Sequence, residues 1–356
     1  MINLFRGLPL FSILFLCGLP LACSQGSATD PDDQDGDAGD ADAGCDGDNQ
    51  ADDGGPEDGA DPADDDWPVD PAGSGPCSFE IIQGVVASSI DGHDIPVEVF
   101  VPGGRPAPYP PVVISHGFQI DSTYYTTTAE HLASWCYLAV LCGYPAGTMP
   151  PTPHETIAQD IADTMTWLKN EQHASLDGQV DTELGALVGH SLGGKTSLMA
   201  SLDDAALADA IIGLDPVDSA DSSLLPYRIA ELGVPTLLLG ETFSGENGIA
   251  GQYCAPLDYN YHQIFLHAPE SLPCLEVTFL RAQHMSWLDD SDCGLACMAC
   301  VENEEADHAE VRRLSRRYMT AWLQRFLRQQ AGMTSWLWGE GMQADVDSGA
   351  VVYDYK

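Results

Sequence analysis

Leu184-Gly185-Ala186-Leu187-Val188-Gly189-His190-Ser191-Leu192-Gly193-Gly194-Lys195-Thr196 is the stretch whose reading decides the fold. Its apolar first half reads as a short buried strand, and Lys195–Leu202 reads as an amphipathic helix. Between them glycines surround one serine in the pattern G-x-S-x-G. Small residues there permit a tight strand–turn–helix in which the helix starts close against its own strand. The tightness lifts the Ser191 hydroxyl clear of the strand and places the next backbone N–H, that of Leu192, beside it. A plain glycine-rich turn is the competing reading of the same residues, so the rest of the chain has to decide.

Working outward, Phe79–Ala87 and Ile95–Val101 alternate apolar and polar residues around Asp91-Gly92, which predicts an opening antiparallel hairpin. Val112–Ile114, Tyr137–Leu141, Ala210–Leu214, Val234–Leu239 and Leu275–Leu280 are short apolar runs that read as buried strands. Helical spacing marks Thr123–Ser134, Glu155 to about Glu171, and Asp307 to about Gln330. Strands alternating with helices predict a mostly parallel central sheet with helices on both faces, and with the serine turn this is the α/β-hydrolase fold. The last helix carries Arg312, Arg313, Arg316, Arg317, Arg325 and Arg328, expected to be solvated charges offsetting an acidic domain.

Residues 76–356 suffice for that one domain, and what precedes them differs in kind. Arg6, then the apolar run Leu8–Leu21 with Pro9 and Pro20, predicts an export signal over residues 1–22 rather than a transmembrane helix. Leu21-Ala22-Cys23 resembles a bacterial lipobox, with Pro20 as its departure, and implies a lipidated Cys23. Ser24 after it resembles the pattern that sends lipoproteins to the outer membrane or cell surface. Residues 23–75 are nearly all Asp, Gly, Ala and Pro, a composition that cannot bury enough surface to order itself and predicts an acidic tether. Asp35-Gly36-Asp37 and Asp46-Gly47-Asp48 lack the twelfth-position glutamate of a calcium loop, so no metal is expected.

The chain of 356 residues has a formal charge of −42, and its only lysines are Lys169, Lys195 and Lys356. Nucleic acid, which needs a basic surface, is therefore excluded as an expected partner. Eleven cysteines suit an oxidising compartment. The spacing Cys293-x3-Cys297-x2-Cys300 also occurs in iron–sulfur enzymes, but disulfides fit an exported chain better. Cys254 with Cys274 and a bridge within Cys293–Cys300 are the expected pairs.

A serine hydroxyl attacks only when a base takes its proton, and the base needs a carboxylate to orient it. His284 follows the last expected strand and is the candidate base. Asp215 ends the strand after the serine turn and is favoured as the acid, with Glu241 and then Asp218 as alternatives. The N–H groups of Leu192 and Phe118, the latter in the loop His116-Gly117-Phe118, are the expected oxyanion donors. His116 and His190 are expected to position the turn, and Gly240–Tyr261 is a candidate lid. This set of residues requires no cofactor.

With these residues assembled, the chain resembles the plant chlorophyllase family of α/β-hydrolases from about Pro111 to Asp290. The resemblance rests on His116-Gly117-Phe118 with Tyr124-Tyr125 and His131-Leu132-Ala133-Ser134, then on Gly189–Thr196 and Gly213-Leu214-Asp215-Pro216-Val217-Asp218. Cys254-Ala255-Pro256 and His284-Met285-Ser286-Trp287-Leu288-Asp289-Asp290 complete it. The family implies Ser191, Asp215 and His284 as the triad of a serine carboxylic-ester hydrolase; the expected anchoring at a cell surface, not the family, points to a small-molecule, lipid or polyester ester. Leu192 stands where that family usually carries arginine, a departure that warns against carrying the family's pigment substrate across. An acyltransferase using the same triad, or a non-catalytic surface binding protein on this scaffold, are the alternatives.

Overall fold

A computed structural model describes residues 70–146, 150–291 and 300–356. The expected export signal, Cys23 and nearly all of the acidic tether lie outside these residues, as do Cys293 and Cys297. The chain runs through β1 (Ser78–Ala87), β2 (Asp94–Gly103), β3 (Pro111–Ser115), α1 (Thr126–Ser134), β4 (Leu138–Cys142), α2 (His154–Lys169), β5 (Ala186–His190) and α3 (Leu192–Asp203). It continues with β6 (Ala210–Leu214), β7 (Thr236–Gly240), α4 (Phe243–Glu246), α5 (Tyr261–His267), β8 (Cys274–Phe279), α6 (His308–Phe326), α7 (Thr334–Trp338), α8 (Glu340–Asp347) and β9 (Val351–Tyr355).

The strands form one sheet in the order β1-β2-β4-β3-β5-β6-β7-β8-β9, parallel from β4 to β8 and antiparallel at both edges. Strands β3 to β8 are buried on both faces, which is why they read as unbroken apolar runs. Alternate residues point to opposite sides. Val113, Leu187, Ile211 and Leu238 pack under α2, α3 and α5, while Val112, Val188, Ile212 and Leu239 pack under α1 and α6. This is the α/β-hydrolase arrangement. It brings the loops after β3, β5, β6, β7 and β8 to one end of the sheet.

Three expectations are corrected. Cys254 pairs with Cys300, not Cys274, and a second disulfide joins Cys77 to Cys136. Cys274 is a buried free thiol at the start of β8, because an inward-facing strand position meets the sheet's own core rather than the loop carrying Cys254. Any further bridge within Cys293–Cys300 lies outside the described residues.

The α6 arginines are not simply solvated. Arg317 is buried and ion-paired with Asp345 of α8 and with Asp70; Arg312 donates to the Leu288 carbonyl, Arg316 to Thr127 and Arg328 to the Cys136 carbonyl. They tie α6 to the segments around it. Finally, the sheet does not end at β8: after Gly349, at φ 74°, the chain returns as the antiparallel edge strand β9.

Candidate active site

The serine turn is as tight as its glycines suggest. Ser191 sits at φ 55° and ψ −121°, a conformation that side-chain-bearing residues rarely adopt and that the surrounding structure must hold in place. A Cβ on Gly189 would lie 2.3 Å from the Gly193 carbonyl oxygen, and one on Gly193 would lie 2.4 Å from that of Ser115. One on Gly194 would meet Pro216 at 2.6 Å. The turn therefore packs against both the loop after β3 and the loop after β6, and no larger residue fits without moving backbone.

Three of the expected residues converge there. His284 Nε2 lies 2.8 Å from Ser191 Oγ, and His284 Nδ1 lies 2.6 Å from Asp215 Oδ2. Asp215 leaves β6 at φ 44°, and its own N–H bonds the Leu239 carbonyl, so the end of β7 steers its side chain. His284 opens a single 3-10 turn capped by Gln283 and Ser286. Its backbone is held on both sides, the N–H by Ser244 Oγ at 3.0 Å and the carbonyl by His190 Nε2 at 2.8 Å. Asp215 and His284 are buried, while Ser191 is partly open to solvent. Burial pushes Asp215 up and His284 down from their ordinary values, and the neighbouring Glu241 opposes both shifts.

The two expected oxyanion donors flank the serine. A Cβ on Gly117 would lie 3.4 Å from Ser191 Cβ, so the His116-Gly117-Phe118 loop lies directly over the turn. Among the described residues neither the Phe118 N–H nor that of Leu192 has a hydrogen-bond partner. Both remain available to a developing negative charge. His116 positions this loop: its ring stacks on Tyr144 at 4.1 Å and its nitrogens face the Gly117 and Tyr144 carbonyls at 2.9 and 3.0 Å. A cavity of about 800 Å³ beside the loop is walled by His116, Gln119, Ile120, Gln83, Glu98 and Asp121.

The alternative acids separate clearly. Asp218 is buried and ion-paired with Lys195 at 2.9 Å, and it also accepts from Ser223 and the N–H groups of Leu224 and Leu225. It braces α3 against the loop after β6 and does not contact His284. Glu241 is within the cluster: a carboxylate oxygen of Asp215, one of Glu241 and a ring nitrogen of His284 all lie within 4.8 Å of one another. Such a trio has metal-ligand composition, but both nitrogens of His284 are already committed to Ser191 and Asp215. Sequence reasoning missed the part played by Tyr125. Its hydroxyl bonds His190 Nδ1 at 2.7 Å and receives the Gly117 N–H at 3.3 Å. Its presence in the motif after the β3 loop was the available signal.

With that geometry in hand, the family can be placed. A family model described as Chlorophyllase matches residues 75–346, most of the chain. This chain belongs to the chlorophyllase family. Among its chlorophyllase relatives, Chlorophyllase-1 of Arabidopsis thaliana is 29% identical over 203 residues, covering 51% of this chain and 60% of the relative. Chlorophyllase-1, chloroplastic, of Citrus unshiu is 25% identical over 222 residues, covering 55% and 65%. Chlorophyllase-2 of Arabidopsis thaliana is 26% identical over 243 residues, covering 62% and 73%. The chain thus spans about three fifths to two thirds of the first two curated relatives it matches.

Proposed function

We propose that this chain is a serine carboxylic-ester hydrolase working through an acyl-enzyme, exported and anchored to a membrane through Cys23. The observation that carries the reading is the continuous relay Ser191–His284–Asp215 beside two N–H groups that have no hydrogen-bond partner among the described residues. In it Ser191 Oγ attacks the ester carbonyl carbon while His284 Nε2 takes the hydroxyl proton. The oxygen, now negative, is held by the N–H groups of Leu192 and Phe118, a preorganised pair in which each donor contributes about 2.7–4 kcal/mol to such steps. Collapse of the tetrahedral intermediate breaks the bond to the alcohol oxygen, which leaves with the proton from His284. Water then attacks the acyl-serine with His284 again as base, and the acid departs as Ser191 regains its proton. Asp215 accepts from Nδ1–H throughout, fixing the tautomer and offsetting the imidazolium charge.

The family name points to a chlorophyll ester, but two features favour another substrate. Leu192 stands at the motif position where arginine is usual, and the expected anchor would hold the enzyme at a cell surface. A lipid or polyester ester met at a cell surface suits the expected anchor. Ser191→Ala should abolish hydrolysis of p-nitrophenyl esters and labelling by a fluorophosphonate; turnover surviving in that variant would overturn the reading. The anchor is tested separately. Cys23→Ala, expressed in a bacterium with lipoprotein processing, should move the protein from the membrane to the soluble fraction without changing its turnover. A variant that stays in the membrane fraction argues against lipidation.

A further inference from the structure

Glu241 is a buried carboxyl group that the relay does not use. It follows β7 directly, as Asp215 follows β6, and these parallel strands pair Leu214 with Leu239. That register places Glu241 one residue beyond the level of Asp215 at the same end of the sheet. The Glu241 N–H reaches Asp215 Oδ1 at 3.4 Å, and a carboxyl oxygen of Glu241 comes within 4.8 Å of one of Asp215, both groups being buried. Two carboxylates cannot accept from one another. A hydrogen bond between them needs a proton on one of the pair.

The donors decide which one. Asp215 receives His284 Nδ1–H at 2.6 Å and the Glu241 backbone N–H, so its negative charge is answered from two sides. Glu241 receives the Ser244 N–H at 2.9 Å. The groups facing Glu241 are Asp215 from the end of β6, His284 from the turn after β8, the Ser244 amide of α4 and the Tyr261 phenol of α5. In a dry site one charge is held at Asp215, and a second beside it is repelled.

We infer that Glu241 is the protonated partner of Asp215, donating its carboxyl hydrogen to the aspartate and so positioning it for His284. This rests on the esterase reading for its kinetic consequence but not for the protonation itself. Burial, with the Asp215 charge next to it, pushes Glu241 up to about 8. Raising the pH through that value removes the shared hydrogen and leaves two adjacent negative charges. The pair then separates, His284 loses its orientation, and turnover falls with little change in substrate binding. Glu241 is thus a positioning residue acting through Asp215.

The test uses the full chain. Glu241→Gln keeps a donor of the same shape that cannot ionise. Its kcat at neutral pH should stay within about threefold of the native enzyme, a change of under a kcal/mol in barrier. The fall in kcat above about pH 8 should disappear, with KM unchanged at every pH. Glu241→Ala, with no donor, should lose kcat across the whole range. A Gln variant that keeps the alkaline fall, or that is as impaired as Glu241→Ala at neutral pH, overturns the inference.

Infrared difference spectra of the native and Glu241→Gln proteins give a readout independent of turnover. A protonated-carboxyl stretch should be present at neutral pH in the native protein only. Its absence overturns the inference even if Ser191 labels with fluorophosphonate, and its presence sustains the protonation even if Ser191 does not.

Discussion

Tyr125 ties three parts of the site together through one hydroxyl. It accepts from Gly117 in the oxyanion loop and donates to His190 in the serine turn, while His190 donates onward to the His284 carbonyl. The chain works in one direction only: His190 must be neutral with its hydrogen on Nε2, and burial lowers its pKa well below the ordinary value, which keeps it so. Tyr125→Phe removes the hydroxyl and nothing else. It leaves His190 Nδ1 and the Gly117 N–H unpaired in a buried place, at a cost of about 1–3 kcal/mol. Thermal unfolding should fall by a few degrees, and kcat should drop more than KM changes, because the loop carrying the Phe118 N–H loses its anchor. Melting curves and steady-state kinetics check both; a variant unchanged in Tm and kcat would remove Tyr125 from the site. The bridge itself was not legible in the sequence. The residues were visible in their motifs, but a hydroxyl bridging positions 117, 125 and 190 exists only once β3 and β5 lie side by side.

At the scale of elements, the sequence announced the strands well and their neighbours poorly. Unbroken apolar runs such as Ala210–Leu214 could only be buried strands, and chemistry at their ends followed from fold logic, so Ser191, Asp215 and His284 were reachable. Which carboxylate does what depends on register. Glu241 and Asp218 look alike in sequence, each close to a strand end, yet one lies beside Asp215 and the other is neutralised by Lys195, a helical residue one turn beyond the serine. The α6 arginines mislead for the same reason. Their charge suggested a solvated face, whereas Arg317 is enclosed by Asp70 and Asp345, residues distant in sequence. The edge strand β9 did carry a local signal, Val351, Val352, Tyr353 and Tyr355 after Gly349, but a five-residue run has little periodicity to read.

For the whole molecule, the described segment before β1 is fastened to the body rather than merely leading into it. Cys77 N–H bonds the Ser134 carbonyl, Gly75 N–H bonds Ser134 Oγ, and Trp135 Nε1 donates to the Gly73 carbonyl. A Cβ on Gly75 would lie 2.2 Å from the Ser134 carbonyl oxygen, so only glycine fits this close approach. The Cys77–Cys136 disulfide locks the arrangement across 59 residues of chain. Closing a loop of that length in the unfolded state corresponds to about 4 kcal/mol in the chain-entropy model, and native bridges of this kind commonly contribute 2–5. Because the bridge joins the approach to β1 with the end of α1, its stabilisation is predicted to be global and not to depend on the serine turn. Replacing both cysteines by alanine avoids placing hydroxyls in a buried site. That double variant should melt several degrees lower, with kcat at 25 °C close to native; reductant should lower the melting temperature of the native protein at least as far, since it also opens Cys254–Cys300. An unchanged melting temperature in the double variant would mean that the hydrogen bonds and the Asp70–Arg317 pair hold this segment without the bridge.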